Sequence, residues 1–209
     1  LSKISAIGGI IMILYATKQT IDRFRIKMPN QMHHVSEAAA NQILKDQQGD
    51  ALLEWGLKLF YFDRRKCIQA MNFASKLTIF LIDVKVNDME YVANSIALYL
   101  LDLYQTDKNI VGLLEKLFSQ YSLCTFSKLT NRSIISSLNR NQLDFANDGY
   151  AFFDYIENGI LQTRKINHDV NFDWLVTQSI NGKTEYIYSG DLFKAMLLDR
   201  YVEQSDRTT

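Results

Sequence analysis

Trp55-Gly56-Leu57-Lys58-Leu59-Phe60-Tyr61-Phe62-Asp63-Arg64-Arg65-Lys66-Cys67-Ile68-Gln69-Ala70-Met71-Asn72 decides the fold. Two runs rich in aromatic and branched residues are broken by four consecutive charged ones, and a compact polar break between two such runs marks a hairpin. Leu57, Leu59 and Tyr61 share one face of the first strand and Lys58, Phe60 and Phe62 the other. Apolar side chains therefore stand on both faces, and both need cover. Leu77 to Val84 supplies a third run. The three together predict an antiparallel meander.

Toward the N-terminus, Ile10 to Ala16 reads as a further strand. The segment Ala6 to Ala16 follows Lys3 and resembles the apolar part of a signal peptide, but β-branched residues dominate it and no small-residue cleavage site follows. It also falls short of the about 20 apolar residues that span a bilayer. A buried strand is the preferred reading. Leu1 in place of methionine reads as either the boundary of an expressed segment or a non-standard start codon, and Met12 is then the expected start, with 1–11 an extension or an expression-derived segment and 12–209 a single domain. Thr17 is placed to cap a short helix through Arg25 with Ile21 and Phe24 facing inward, and Pro29 closes that unit. Asn30 to Asp50 reads as a weak surface helix between loops.

Toward the C-terminus the period becomes helical. Val92, Ile96, Tyr99, Leu100 and Leu103 form one apolar stripe, and Ile110, Leu113, Leu114, Leu117 and Tyr121 another, joined by a turn at Thr106 to Asn109. Cys124 to Ser127 is a short extended piece. Thr130 is the expected cap of a helix through Phe145 that is rich in hydrogen-bonding side chains, and Tyr150 to Ile156 is expected to continue helically after Asn147-Asp148-Gly149. Phe172 to Ile180 reads as extended, Asn181-Gly182 as a hairpin turn, Glu185 to Tyr188 as its second strand, and Ser189 to Tyr201 as a final amphipathic helix. The fold class is α+β, an antiparallel meander sheet of about four to six strands covered by about four to six helices.

Composition narrows the function classes. The 209 residues are 47% hydrophobic and 22% charged, enough for one substantial core. Lys+Arg 23 and Asp+Glu 23 cancel to a formal net charge of +0, so no global field recruits nucleic acid or an anionic membrane, and self-association is modestly favoured. Cys67 and Cys124 lie far apart, His33 and His34 are adjacent, and His168 stands alone, so no metal centre, cofactor or disulfide framework is expected. A reducing cytoplasm fits the cysteine usage best.

Three blocks in order carry a family resemblance: Met12-Ile13-Leu14-Tyr15-Ala16-Thr17-Lys18, the Trp55 to Asn72 strand pair with its charged turn, and Thr130-Asn131-Arg132-Ser133-Ile134-Ile135-Ser136-Ser137-Leu138-Asn139. Over most of Met12 to Tyr201 the chain resembles a bacterial family classed as a domain of unknown function, number 6933. The resemblance implies a small intracellular α+β protein of prokaryotes or mobile elements with no established activity. It leaves Leu1 to Ile11 outside the pattern. The chain departs from it at Asn139-Arg140-Asn141, where an acidic or small residue is expected after the asparagine.

Asp63 beside Arg64, Arg65 and Lys66 offers cations to a phosphate or carboxylate, with Asp63 orienting a guanidinium. The plainer reading, a solvated hairpin turn, weighs above it. Arg132 and Arg140, eight residues apart, project from nearly the same helix face, with Asn131, Ser133 and Asn139 as neutral donors. Phosphate-binding loops, nucleophile elbows, zincin helices and dinucleotide fingerprints are missing. The leading expectation is a non-catalytic binding or interaction protein, with another protein anchored on Tyr150, Phe152, Phe153 or Tyr155, and with a homo-oligomer open. Nucleic-acid or nucleotide phosphate binding is the alternative, with Trp55 or Tyr61 stacking on a base. A metal-dependent hydrolase or nuclease using Asp63 is the third. No membrane partner is expected.

Overall fold

The computed structural model describes residues 11–28, 49–118, 123–147, 152–180 and 182–206, with positions 38, 41, 42 and 45. The protein is α+β. Its main sheet has five strands, β1 (Ile11–Ala16), β2 (Glu54–Phe62), β3 (Arg65–Asn72), β4 (Thr78–Leu81) and β5 (Leu123–Lys128), in the order β4-β3-β2-β1-β5. The expected meander holds for β2, β3 and β4, which pair antiparallel. It fails for the sheet as a whole, because β1 runs parallel to both β2 and β5. The long connection carrying α1 (Lys18–Phe24) is a crossover, which parallel pairing requires.

Local chemistry accounts for the element ends. Thr17 caps α1, its Oγ1 accepting from the Thr20 N–H at 3.3 Å, and Arg25 ends it in the left-handed region at φ 55°. Of the surface helix expected over 30–50, only 38, 41, 42, 45, 49 and 50 are described, and the first four are helical. Two helices, α2 (Val92–Leu103) and α3 (Lys108–Phe118), follow a 3-10 turn at Val86–Tyr91, as their stripes predict through Leu117, and Tyr121 lies outside the described residues. The next, α4 (Arg132–Asn147), starts after Asn131 rather than Thr130. The Asn131 side chain accepts from the Ile134 N–H at 3.1 Å and so satisfies one of the orphan donors of the first turn. Phe152–Tyr155 is 3-10 helix, and the two-residue strands β6 (Ile156–Glu157) and β7 (Ile160–Leu161) are joined through Asn158 and Gly159, both at positive φ.

Two large helices complete the chain. The first, α5 (Thr163–Phe172), is absent from the sequence reading and takes Phe172 out of the segment expected to be extended. The second, α6 (Ser189–Asp206), follows the separate hairpin of β8 (Leu175–Ile180) and β9 (Lys183–Tyr188). No described helix is long and apolar enough to cross a membrane.

Both sheet faces are covered, as the alternation in β2 requires. Trp55, Leu57 and Leu59 pack with Leu14, Ile68, Ile79, Phe24, Ile96, Leu114 and Phe193 in the larger core. Met71 packs with Leu129, Ile134 and Leu138 on the opposite face, beneath α4. That helix lies so close that a Cβ at Gly56 would stand 2.6 Å from Ile134 Cγ2, which makes Gly56 the contact point of helix and sheet.

Strand β4 ends the sheet, and α5 closes its open edge with side chains. Asn171 Oδ1 accepts from the Thr78 N–H at 2.8 Å while its Nδ2 donates to Thr78 O at 2.7 Å. Asn167 repeats this one turn earlier, accepting from the Phe80 N–H at 2.7 Å and donating to Phe80 O at 3.3 Å. Both amides are fully buried. Asn171→Leu leaves the Thr78 N–H and C=O buried without partners, a loss of about 2–5 kcal/mol. Urea unfolding measures it, and a change within about 0.5 kcal/mol of zero contradicts the role given to Asn171.

Candidate functional site

A cleft of about 500 Å³ lies between α4 and the β8–β9 hairpin. Ser136, Ser137, Arg140, Asn141 and Asp144 form the α4 wall, Leu175, Val176, Thr177 and Tyr186 the hairpin wall, and Met71 and Lys76 the floor. Each wall follows from local structure. Ile134 and Leu138 face the sheet, which turns positions 136, 137, 140 and 144 of a 3.6-residue helix outward or sideways. On the hairpin, Thr177 pairs with Tyr186 and Leu175 with Tyr188, so these four side chains share one face. Tyr186 is 70% exposed and Leu175 55%, a large apolar surface for side chains beside a cleft.

Lys76 reaches the floor because Asn72 builds the turn that carries it. The Asn72 amide is fully buried and donates to the carbonyls of Leu52 at 3.0 Å and Ala51 at 3.2 Å. Its Oδ1 accepts from the N–H groups of Ala74 and Ser75, each at 3.1 Å. Lys76 follows at φ 62°, and its Nζ donates to Thr177 O at 2.6 Å, joining floor to hairpin. Burial lowers the Lys76 pKa below its ordinary value.

Arg140 is the second cation of the cleft, held by Asp144 through Nε and Oδ1 at 2.7 Å. Asn141 donates from Nδ2 to Thr78 Oγ1 at 3.2 Å, which ties this wall to β4. The cleft thus presents an ammonium, a guanidinium, hydroxyls of two serines and an aromatic ring. Those groups suit a ligand with an anionic end and a flat or apolar end.

The residues singled out by sequence are distributed differently. Arg140 lines the cleft, and Arg132, Ser133 and Asn139 are exposed on the same helix without lining it. Asn131 is occupied as the cap. Trp55 is 1% exposed and packs against Phe193, with ring centroids 6.4 Å apart, so its ring is part of the core and closed to stacking on a base. Tyr61 is exposed.

The charged turn is the two-residue loop of the β2–β3 hairpin, with Phe62 paired to Arg65. Asp63 at φ 46° and Arg64 at φ 61° give the positive values that the favoured hairpin turn needs. Strand alternation sends Arg65 and Lys66 to opposite faces. Arg65 pairs with Asp83 at 3.7 Å, and the Lys66 ammonium stands 5.4 Å from the Phe24 ring centroid. None of the four lines the cleft.

The aromatic anchor patch is also rearranged. Phe152 stacks on Phe60 at 5.4 Å and meets Phe80 edge-on at 5.1 Å, Tyr155 is buried, and Phe153 is 60% exposed. Tyr150 lies outside the described residues. His168 does not stand alone, since a ligand atom on each of His168, Asp169 and Asp173 lies within 4.8 Å of the others at the end of α5. Periodicity hid this group together with α5 itself. Lys76, Asn141 and Tyr186 line the cleft without a mark in the sequence, because their relation exists only through the docking of α4 and the hairpin.

A family model described as Domain of unknown function (DUF6933) matches residues 13–192, and the chain belongs to that family. Comparison with curated proteins gave no match. The charged turn sits inside the matched span. Its left-handed pair predicts that Asp63→Asn with Arg64→Gly raises stability by about 1 kcal/mol, since asparagine and glycine accept positive φ at lower cost. Thermal unfolding checks this, and a loss of stability contradicts it.

Proposed function

We propose that this family member is a non-catalytic binding protein whose cleft between α4 and the β8–β9 hairpin receives a small ligand bearing a phosphate or carboxylate. The observation that carries the reading is the convergence of Lys76 and Arg140, from separate elements, on one cleft with a largely exposed tyrosine at its wall. The cations take the anionic end by charge-assisted hydrogen bonds. Tyr186 and Leu175 lie against the flat or apolar end.

Asp144 sets the strength of the site by competing for Arg140. Among the described lining residues this carboxylate is already committed to the guanidinium, which favours binding over acid-base chemistry. The proposed ligand shares its phosphate with the nucleotide alternative, but at the cleft and not at the charged turn.

Calorimetric titration with inorganic pyrophosphate and with a nucleoside monophosphate tests it. Arg140→Ala is expected to weaken binding about tenfold or more, and Asp144→Asn to strengthen it by freeing the guanidinium. Lys76 has its pKa lowered by burial, so binding falls as pH rises through that lowered value, while Arg140 stays charged. Binding that is insensitive to Arg140→Ala, or no binding of either probe, overturns the proposal.

A further inference from the structure

Sheet edges in this fold are treated in different ways. Edge strand β4 has its outward N–H and C=O groups occupied by Asn167 and Asn171. Strand β8 faces the β3–β4 turn, where Thr177 O accepts from Lys76 Nζ and Gln178 Nε2 donates to Ala74 O at 3.0 Å. Among the described residues strand β9 has neither arrangement, and Gly182, Lys183, Thr184, Glu185 and Tyr186 are exposed in succession. An open strand edge is a template for pairing with another strand.

The register fixes which groups it offers. Ile180 pairs with Lys183 across the turn, Gln178 with Glu185 and Val176 with Ile187. In a hairpin with a two-residue loop these pairs exchange the ladder bonds, so the N–H and C=O of Thr184 and Tyr186 point away from β8. The outward Thr177 carbonyl on β8 agrees with this assignment.

We propose that β9 pairs antiparallel with β9 of a second copy about a two-fold axis at Thr184, giving a homodimer with a continuous four-stranded ribbon. Charge selects this occupant and this register. With Thr184 opposite its own copy, Lys183 of each chain stands directly across from Glu185 of the other, which gives two symmetric ion pairs on one face. On the other face each Tyr186 lies over the second copy's Gly182, so the most exposed large aromatic covers a position without a side chain. A formal net charge of +0 leaves no overall repulsion between copies. The dimer does not depend on the cleft binding a ligand.

Sedimentation of the full chain from micromolar to several hundred micromolar is the test. The mass is expected to double with concentration. Thr184→Pro is expected to keep the protein monomeric throughout, because it removes an outward N–H and leaves the ladder to β8 intact. Lys183→Glu is expected to weaken association at least tenfold, and the exchange Lys183→Glu with Glu185→Lys to restore it. The charge exchange keeps the test decisive should the proline variant fail to fold. A monomer at all concentrations, as expected if the edge serves an extended peptide of another protein, overturns the proposal. So does a dimer indifferent to these substitutions.

Discussion

The double hydrogen-bonded closure of β4 by Asn167 and Asn171 is the constraint on which the rest of the molecule depends. A sheet edge buried without partners leaves each N–H and C=O group short of a bond at a cost of about 1–3 kcal/mol. Asparagine has the donor and acceptor of a peptide unit on one side chain, and two of them at i and i+4 stand on one helix face. They imitate a sixth strand. Asn171 also accepts from Ser189 Oγ at 2.8 Å, so one amide binds β4, α5 and the first residue of α6.

The position of the cleft follows from that junction. With α5 docked on β4, the hairpin that leaves its C-terminus emerges beside the β3–β4 turn, and Lys76 bonds it there. On the other side α4 is set by the missing side chain at Gly56 and by the Asn141 bond to Thr78, a residue the clamp also holds. Both walls are thus referred to the same strand. The two cations of the cleft stand on α4 and on the Asn72-built turn, each fixed to β3 or β4 by hydrogen bonds of its own segment.

Much of the sheet was legible because its signals are local. Trp55 to Asn72 carries alternation and a polar break, and Thr17 carries its own cap chemistry, so each element could be read from neighbours in sequence. The parallel placement of β1 between β2 and β5 was not legible, since strand order is decided by crossover connections rather than by any residue in the strand. Helix α5 escaped for a different reason. Its buried face is Ile166, Asn167, Val170 and Asn171, and amides on the inward face dilute the apolar period by which a helix is recognised. The candidate site was legible only at Arg140. Trp55 is legible as a core aromatic, and its burial closes it to a ligand; the charge-dense stretch is legible as a hairpin turn, with Asp63 and Arg64 at positive φ.

Amide hydrogen exchange at Thr78 and Phe80 tests the central claim most directly. These two N–H groups point out of the sheet, and the asparagine clamp makes them as protected as amides between β2 and β3, exchanging only with global unfolding. Exchange at the rate of a solvent-exposed edge, with the β2–β3 amides still protected, would contradict the clamp and with it the placement of α5, the hairpin and the cleft.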